Sequence, residues 1–162
     1  MKILVDTKEI ISFEDFRLAW RWDEIHNPDI SLEDIRQIKP LSILESKRIN
    51  LIIDKYNEEK KIVGRFEPTD LFIASSDTNK SVEKFSNDFN NLTKDFCENL
   101  IISWDQSTCI YTTKEIFVKY WDDFCYPSSD DIMIISELTN WVLFYYHYEE
   151  CRFWKKINKN DR

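Results

Sequence analysis

The spacing of hydrophobic residues along this chain changes near residue 100. Before that point apolar residues recur every three or four positions. After it they alternate or run together, which marks a switch from helical to strand spacing. The clearest helical stripe is Val82, Phe85, Phe89, Leu92, Phe96 and Leu100. Upstream, Ser12 followed by Asp15 predicts a helix start, with Phe13, Phe16 and Trp20 on one face. Ser31-Leu-Glu-Asp34 predicts a short helix with Leu32, Ile35 and Ile38 together, stopped by Pro40. Ser42 with Glu45 has the capping-box pattern for a longer helix striped by Ile49, Ile52, Ile53 and Tyr56. Ile3-Val5 and Ile10-Ile11 predict one short strand or a small hairpin. The stretch 57–80 mixes a charged run (Glu58 to Lys61), one possible strand at Ile62-Phe66, Pro68 and a polar tract from Ser75. A mobile loop is expected there.

Beyond residue 100, Leu100-Trp104 and Thr108-Thr112 read as strands joined by the turn Asp105-Gln106-Ser107. Thr112 with Glu115 predicts a second capped helix running to Phe124, which buries Ile116, Phe117, Tyr120, Trp121 and Phe124. A loop, Cys125 to Asp131, ends it. Strands then follow at Ile132-Ser136, Trp141-Tyr148 and Cys151-Lys156, with tight turns at Glu137-Asn140 and Glu149-Glu150. Both faces of Trp141-Tyr148 are largely apolar, the pattern of a central strand covered on two sides. The expected fold is therefore a single α+β domain over 1–162. It is helix-rich over 1–97 and sheet-rich over 100–156, with an antiparallel sheet of about five strands, one inserted helix and a basic tail at 157–162.

Composition narrows the function. A chain of 162 residues buries about 70% of its unfolded surface. Its 6 Trp, 7 Tyr and 11 Phe can supply that core in a few large pieces. Gly64 is the only glycine, so phosphate loops and dinucleotide fingerprints, which need several, are excluded. Cys97, Cys109, Cys125 and Cys151 form no CxxC pair, which argues against a zinc knuckle and for reduced thiols in a cytoplasmic core. No signal peptide and no membrane-length apolar run is read.

Charge is unevenly placed. The net charge is -8, yet residues 81–151 carry four Lys and no Arg against 13 acids. Such a segment repels phosphate and steers a basic partner, although acids also serve plain solubility. The four tryptophans of the C-terminal half, Trp104, Trp121, Trp141 and Trp154, lack the positive groove of a single-strand nucleic-acid binder and read as core. No cofactor is implied.

Candidate chemistry is sparse. His147 shares a strand face with Glu149 and lies near Cys151 in sequence, so a Cys–His pair is one reading; a histidine at the wet end of a strand is the other. His26 falls in the turn sequence His-Asn-Pro. The acidic pairs Asp122-Asp123, Asp130-Asp131 and Glu149-Glu150 offer a metal or acid–base site only if adjacent carboxylates converge, and neighbours on a helix or strand point apart. At a helix C-terminus, Asp122 and Asp123 would oppose the helix dipole by a few tenths of a kcal/mol, a small misfit that suits an outside partner.

The run Tyr111-Thr-Thr-Lys-Glu-Ile-Phe-Val-Lys-Tyr-Trp-Asp-Asp-Phe-Cys-Tyr-Pro-Ser-Ser-Asp-Asp131, followed by Asn140-Trp-Val-Leu-Phe-Tyr-Tyr-His-Tyr-Glu-Glu150, resembles small acidic immunity proteins of bacterial toxin systems. The shared pattern is a helix with a Trp near its end, a Pro/Asp-rich loop, then a strand opening on Trp and closing on His-x-Glu. The likeness covers residues 100–156. It implies a non-enzymatic cytoplasmic inhibitor that binds one cognate toxin, a basic nuclease being the natural target. On this reading the partner-binding residues are Asp122, Asp123, Asp130, Asp131, Glu149 and Glu150, with neither nucleic acid nor membrane as partner. Two alternatives stand beside it: a small hydrolase or nuclease using His147 and nearby carboxylates, and a regulatory or structural binding subunit.

Overall fold

The computed structural model describes residues 1–56, 62, 66–96 and 99–157, with the backbone alone at 69–70. The capping signals near the start of the chain form helices only where an apolar stripe has something to cover. Ser31 Oγ accepts the Asp34 N–H to open α1 (Leu32–Ile35), and Ser42 Oγ accepts the Glu45 N–H to open α2 (Ile43–Ile53). Glu45 does not close the capping box. Its carboxylate accepts the Asp6 N–H at 2.8 Å and pairs with Arg48 at 2.7 Å, pinning the N-terminal strand of chain to α2. The helix expected from Phe13 to Trp20 is instead two 3-10 turns, Phe13–Asp15 and Ala19–Trp22. The expected hairpin near Ile3 and Ile10 is a 3-10 turn at Thr7–Glu9 and one isolated bridge, Ile10 to Leu41.

Helix α3 (Asn79–Leu92) starts at Thr78, whose hydroxyl accepts the Ser81 N–H. It ends earlier than its stripe predicts. Thr93 turns its hydroxyl back onto the Phe89 carbonyl at 2.7 Å, and the Lys114 ammonium donates to the Thr93 and Phe96 carbonyls. A cation on these carbonyls, left without helical partners, matches the negative end of the helix. The second capped helix begins one residue later than expected, because Thr113 rather than Thr112 caps it. It also breaks at Tyr120 into α4 (Lys114–Lys119) and α5 (Trp121–Phe124).

The fold is α+β, built on one antiparallel sheet of seven strands where about five were expected. These are β1 (Lys39–Pro40), β2 (Phe66–Ile73), β3 (Leu100–Asp105), β4 (Thr108–Thr112), β5 (Ile132–Ser136), β6 (Trp141–Tyr146) and β7 (Glu150–Lys156). Their spatial order is β1-β4-β3-β5-β6-β7-β2. The five central strands are those read from the sequence; both edges come from the N-terminal half. Pro40, read as a helix stop, sits in edge strand β1, where a missing N–H costs least.

The stretch 57–80, expected to be a mobile loop, contains β2 and the start of α3; residues 57–61 and 63–65, including most of the possible strand at 62–66, lie outside the described residues. Register against β7 shifts between Pro68 and Asp70. That bulge adds one residue and inverts the pleat. Phe66 accordingly packs on one face of the sheet and Phe72 on the other, although their spacing is even.

Alternation along the central strands feeds two cores. On one face Leu100, Ile102, Ile134, Trp141, Leu143 and Phe153 meet α3, α4 and α5. Phe85 of α3 stacks on Trp121 with centroids 4.1 Å apart, and Phe89 meets Trp141 edge-on at 5.5 Å. On the other face Ile101, Met133, Ile135, Val142 and Phe144 meet Ile49 and Ile53 of α2. The two-sided burial read for the strand at Trp141 is realised. Among the described residues no helix is long and apolar enough to cross a membrane.

Candidate functional site

Three connections meet at one end of the sheet: the β3–β4 turn at 105–107, the loop 125–131 that leads into β5, and the β6–β7 turn at 147–149. Antiparallel pairing puts them there, because β5 starts where β3 and β6 finish. The loop is stitched to the turn by the Ser128 N–H, which donates to the His147 carbonyl at 2.7 Å. Ser128 and Glu149 both hold positive φ, 65° and 64°. In a chain with one glycine, non-glycine residues occupy these left-handed positions against their steric preference.

The inner support of this end is a buried ion pair. Arg21 donates from both terminal nitrogens to Asp130, at 2.6 and 3.0 Å, and also to the Phe124 carbonyl at 3.2 Å. Its guanidinium lies 4.4 Å from the Tyr126 ring centroid and 5.6 Å from that of Trp104. Asp130 further accepts the Tyr126 N–H. Two-pronged pairing of this kind satisfies a charge that burial would otherwise penalise. Asp130 is thus a fastener between the N-terminal turns and the loop, with 7% of its surface exposed.

Asp122 and Asp123 differ. The break at Tyr120 places them in α5, a single turn of four residues that is first and last turn at once, rather than at the end of a long helix, so the helix dipole there is small. Their discomfort comes from burial. It raises both carboxyls, and with the neighbouring Asp122 charge it pushes Asp123 up to about 7. Asp123 receives a hydrogen bond from the Asn27 amide. The guanidinium that lowers it is that of Arg21, which is engaged with Asp130, while the nearby His26 ring faces Asp23 at 2.8 Å.

Asp131 points outward. One oxygen accepts the His147 backbone N–H at 3.0 Å and faces the His147 Nδ1 at 2.9 Å. A carboxylate only accepts, so this contact holds the proton on Nδ1 and turns Nε2 away. Glu149 and Glu150 lie half-buried in the adjoining turn and strand start. Of the six acids read as a partner face, the structure gathers five around this end as accessible or half-accessible groups and commits Asp130 inward.

Cys151 is not beside the solvent with His147. It is fully buried, and burial pushes its thiol well up, as it does for Cys125. A thiolate nucleophile needs the reverse. Cys97 lies outside the described residues. Among the described residues no three His, Cys, Asp or Glu side chains converge on a metal position.

Beside this acidic end, on the α2 face, lies a groove of about 800 Å³ that sequence reasoning did not find. Asp105, Asp131, Met133, Phe144, Tyr146 and Tyr148 are among its lining residues. Asp105 is bonded by Arg17 and by the Ser107 N–H and hydroxyl. The alternation of Phe144, Tyr146 and Tyr148 was visible as one face of a strand; that the face leaves the core and becomes a groove wall was not. Arg21 had a faint signal only, a cation between Trp20 and Trp22.

No family model, no curated protein and no solved structure matches the chain.

Proposed function

We propose that the protein is a non-enzymatic binding protein of the immunity type, which neutralises a basic toxin by engaging it through the acidic end of the sheet. The observation that carries this reading is the Asp122-Asp123 pair. Two adjacent carboxylates are desolvated, and Arg21, the guanidinium that acts on Asp123, is paired with Asp130. Desolvated carboxylates without a counter-charge are costly, and a basic partner supplies the charge they lack. Asp131, Glu149 and Glu150 around the same end extend the negative field, which raises association rates with a basic surface and rejects acidic competitors. The resemblance over residues 100–156 points the same way. Calorimetric titration against the toxin encoded by the neighbouring gene tests it, with Asp122→Asn/Asp123→Asn as the weakened variant. Absence of binding, together with no protection of cells expressing that toxin, refutes it.

One observation favours a second reading. A half-exposed histidine whose Nδ1 is held by a carboxylate is the arrangement of a general base in a small hydrolase or nuclease. Screening wild type beside His147→Ala decides this: turnover lost in the variant supports it, and no turnover in either removes it.

A further inference from the structure

Alternate residues of a strand share a face, so Phe144, Tyr146 and Tyr148 stand in line along β6 and its exit. Their rings are nearly parallel. Phe144 and Tyr146 lie 6.5 Å apart at 20°, and Tyr146 and Tyr148 lie 5.4 Å apart at 4°. Exposure rises from 5% at Phe144 to 53% at Tyr148, so the ladder starts in the core and ends in solvent at the groove. The ladder already takes a planar cation from within the chain: the Arg152 guanidinium sits 5.9 Å from the Tyr146 centroid. Asp131, 62% exposed in its side chain, lines the same groove as the terminal ring. Its Oδ1 receives both His147 contacts, and among the described residues no hydrogen bond reaches Oδ2.

We infer that the groove receives an arginine side chain of a basic protein partner, its guanidinium stacked on Tyr148 as a further rung and paired with Asp131. This rests on the binding reading above and names the contact. A guanidinium is planar, weakly hydrated and forked, so it can stack on a ring and donate to a carboxylate at once. A lysine ammonium is a compact hydrated charge and does the second without the first. A nucleobase would stack as well, but its phosphates would meet Asp131, Asp105 and a chain of net charge -8. A second copy carries that same net charge and is repelled.

The test uses the full chain and two probes, an acetylated hexa-arginine peptide and its hexa-lysine counterpart, titrated at low salt by calorimetry and by amide NMR. Hexa-arginine should bind about 3- to 10-fold more tightly, with the largest amide shifts at Asp131 and at Tyr146 to Tyr148. Tyr148→Ala and Asp131→Asn should each remove that preference, while Tyr148→Phe, which keeps the ring, should retain it. Tyr148 and Asp131 are exposed, so circular dichroism should show these variants folded. Equal affinity for the two peptides, or shifts centred on Asp122 and Asp123 with Tyr148→Ala unchanged, overturns the groove contact and leaves the basic-partner reading standing. Binding by neither peptide overturns both.

Discussion

Replacing Asp123 by asparagine should stabilise the protein at neutral pH and leave it nearly unchanged in acid. In the fold this carboxyl titrates near 7, against an ordinary 3.8. Between those values the native state binds more protons than the unfolded chain, so stability falls as pH rises from about 4 to about 7. At about 1.36 kcal/mol per pH unit, the gap sets a ceiling of about 4 kcal/mol. Water reaches part of the Asp122-Asp123 pair, and screening there reduces the expected penalty to about 1–2 kcal/mol. Asparagine keeps the shape and can still accept the Asn27 amide hydrogen bond while discarding the charge. Urea unfolding followed by tryptophan fluorescence at pH 4, 6 and 8 is the assay, read as the difference between variant and wild type. That difference should grow from near zero at pH 4 to about 1–2 kcal/mol at pH 8, or about 3–6 °C in Tm for a chain of this size. A difference independent of pH, or a variant less stable at pH 8, refutes the assignment of a desolvated and uncompensated carboxylate. The same carboxyl gives binding a signature: a basic partner that neutralises the pair should release protons, the more so the closer the pH lies to the raised value. Repeating the calorimetric titration in buffers of different ionisation enthalpy measures that release.

Three further outcomes follow from the packing. Asp130→Asn leaves Arg21 charged and buried, and should cost about 3–5 kcal/mol in urea unfolding, far more than Asp131→Asn at the exposed neighbour. Phe85→Ala opens a cavity beneath Phe72, Phe89, Phe117 and Trp121, and should cost about 3–5 kcal/mol by the same measurement. Glu149→Gly relieves a left-handed backbone position and should raise Tm, by about 0.5–1 kcal/mol of added stability in differential scanning calorimetry.

The central strands were legible because their own residues specify them. Ile132–Ser136 is apolar on both faces and bounded by Asp131 and Glu137, and the structure uses those bounds. Edge strand β2 was not legible, since Leu71 and Ile73 face solvent and the bulge after Pro68 breaks the parity of Phe66 and Phe72. Its strand character comes from pairing with β7, a tertiary contact that overrides local propensity. The first turns failed for a related reason: Phe13, Phe16 and Trp20 have helical spacing, but burial there is secured by Trp22 against Phe124 of α5 and by Arg21 against Asp130 in the distant loop 125–131. The site divides similarly. Acid pairs can be counted in a sequence, whereas the pairing of Arg21 with a residue 109 positions later cannot, and it decides which acid faces inward.

The strand order also constrains how the chain acquires its shape during translation. Strands β3 to β7 pair mostly with sequence neighbours, joined by short turns or by one helical crossover, so they can assemble soon after they leave the ribosome. The two rims cannot. Strand β1 waits for β4, and β2 waits for β7, with Phe66 opposite Lys156. The residues before β3 therefore have no sheet to join until β4 emerges, β2 has none until β7 does, and the turns that carry Arg21 stay without Asp130 until the loop 125–131 is made. A nascent chain arrested before β7 would expose the aromatic stripe of α3 and an unpaired β2. Nascent chains of this protein should therefore depend on holding chaperones in proportion to how slowly the residues up to and including β7 are made.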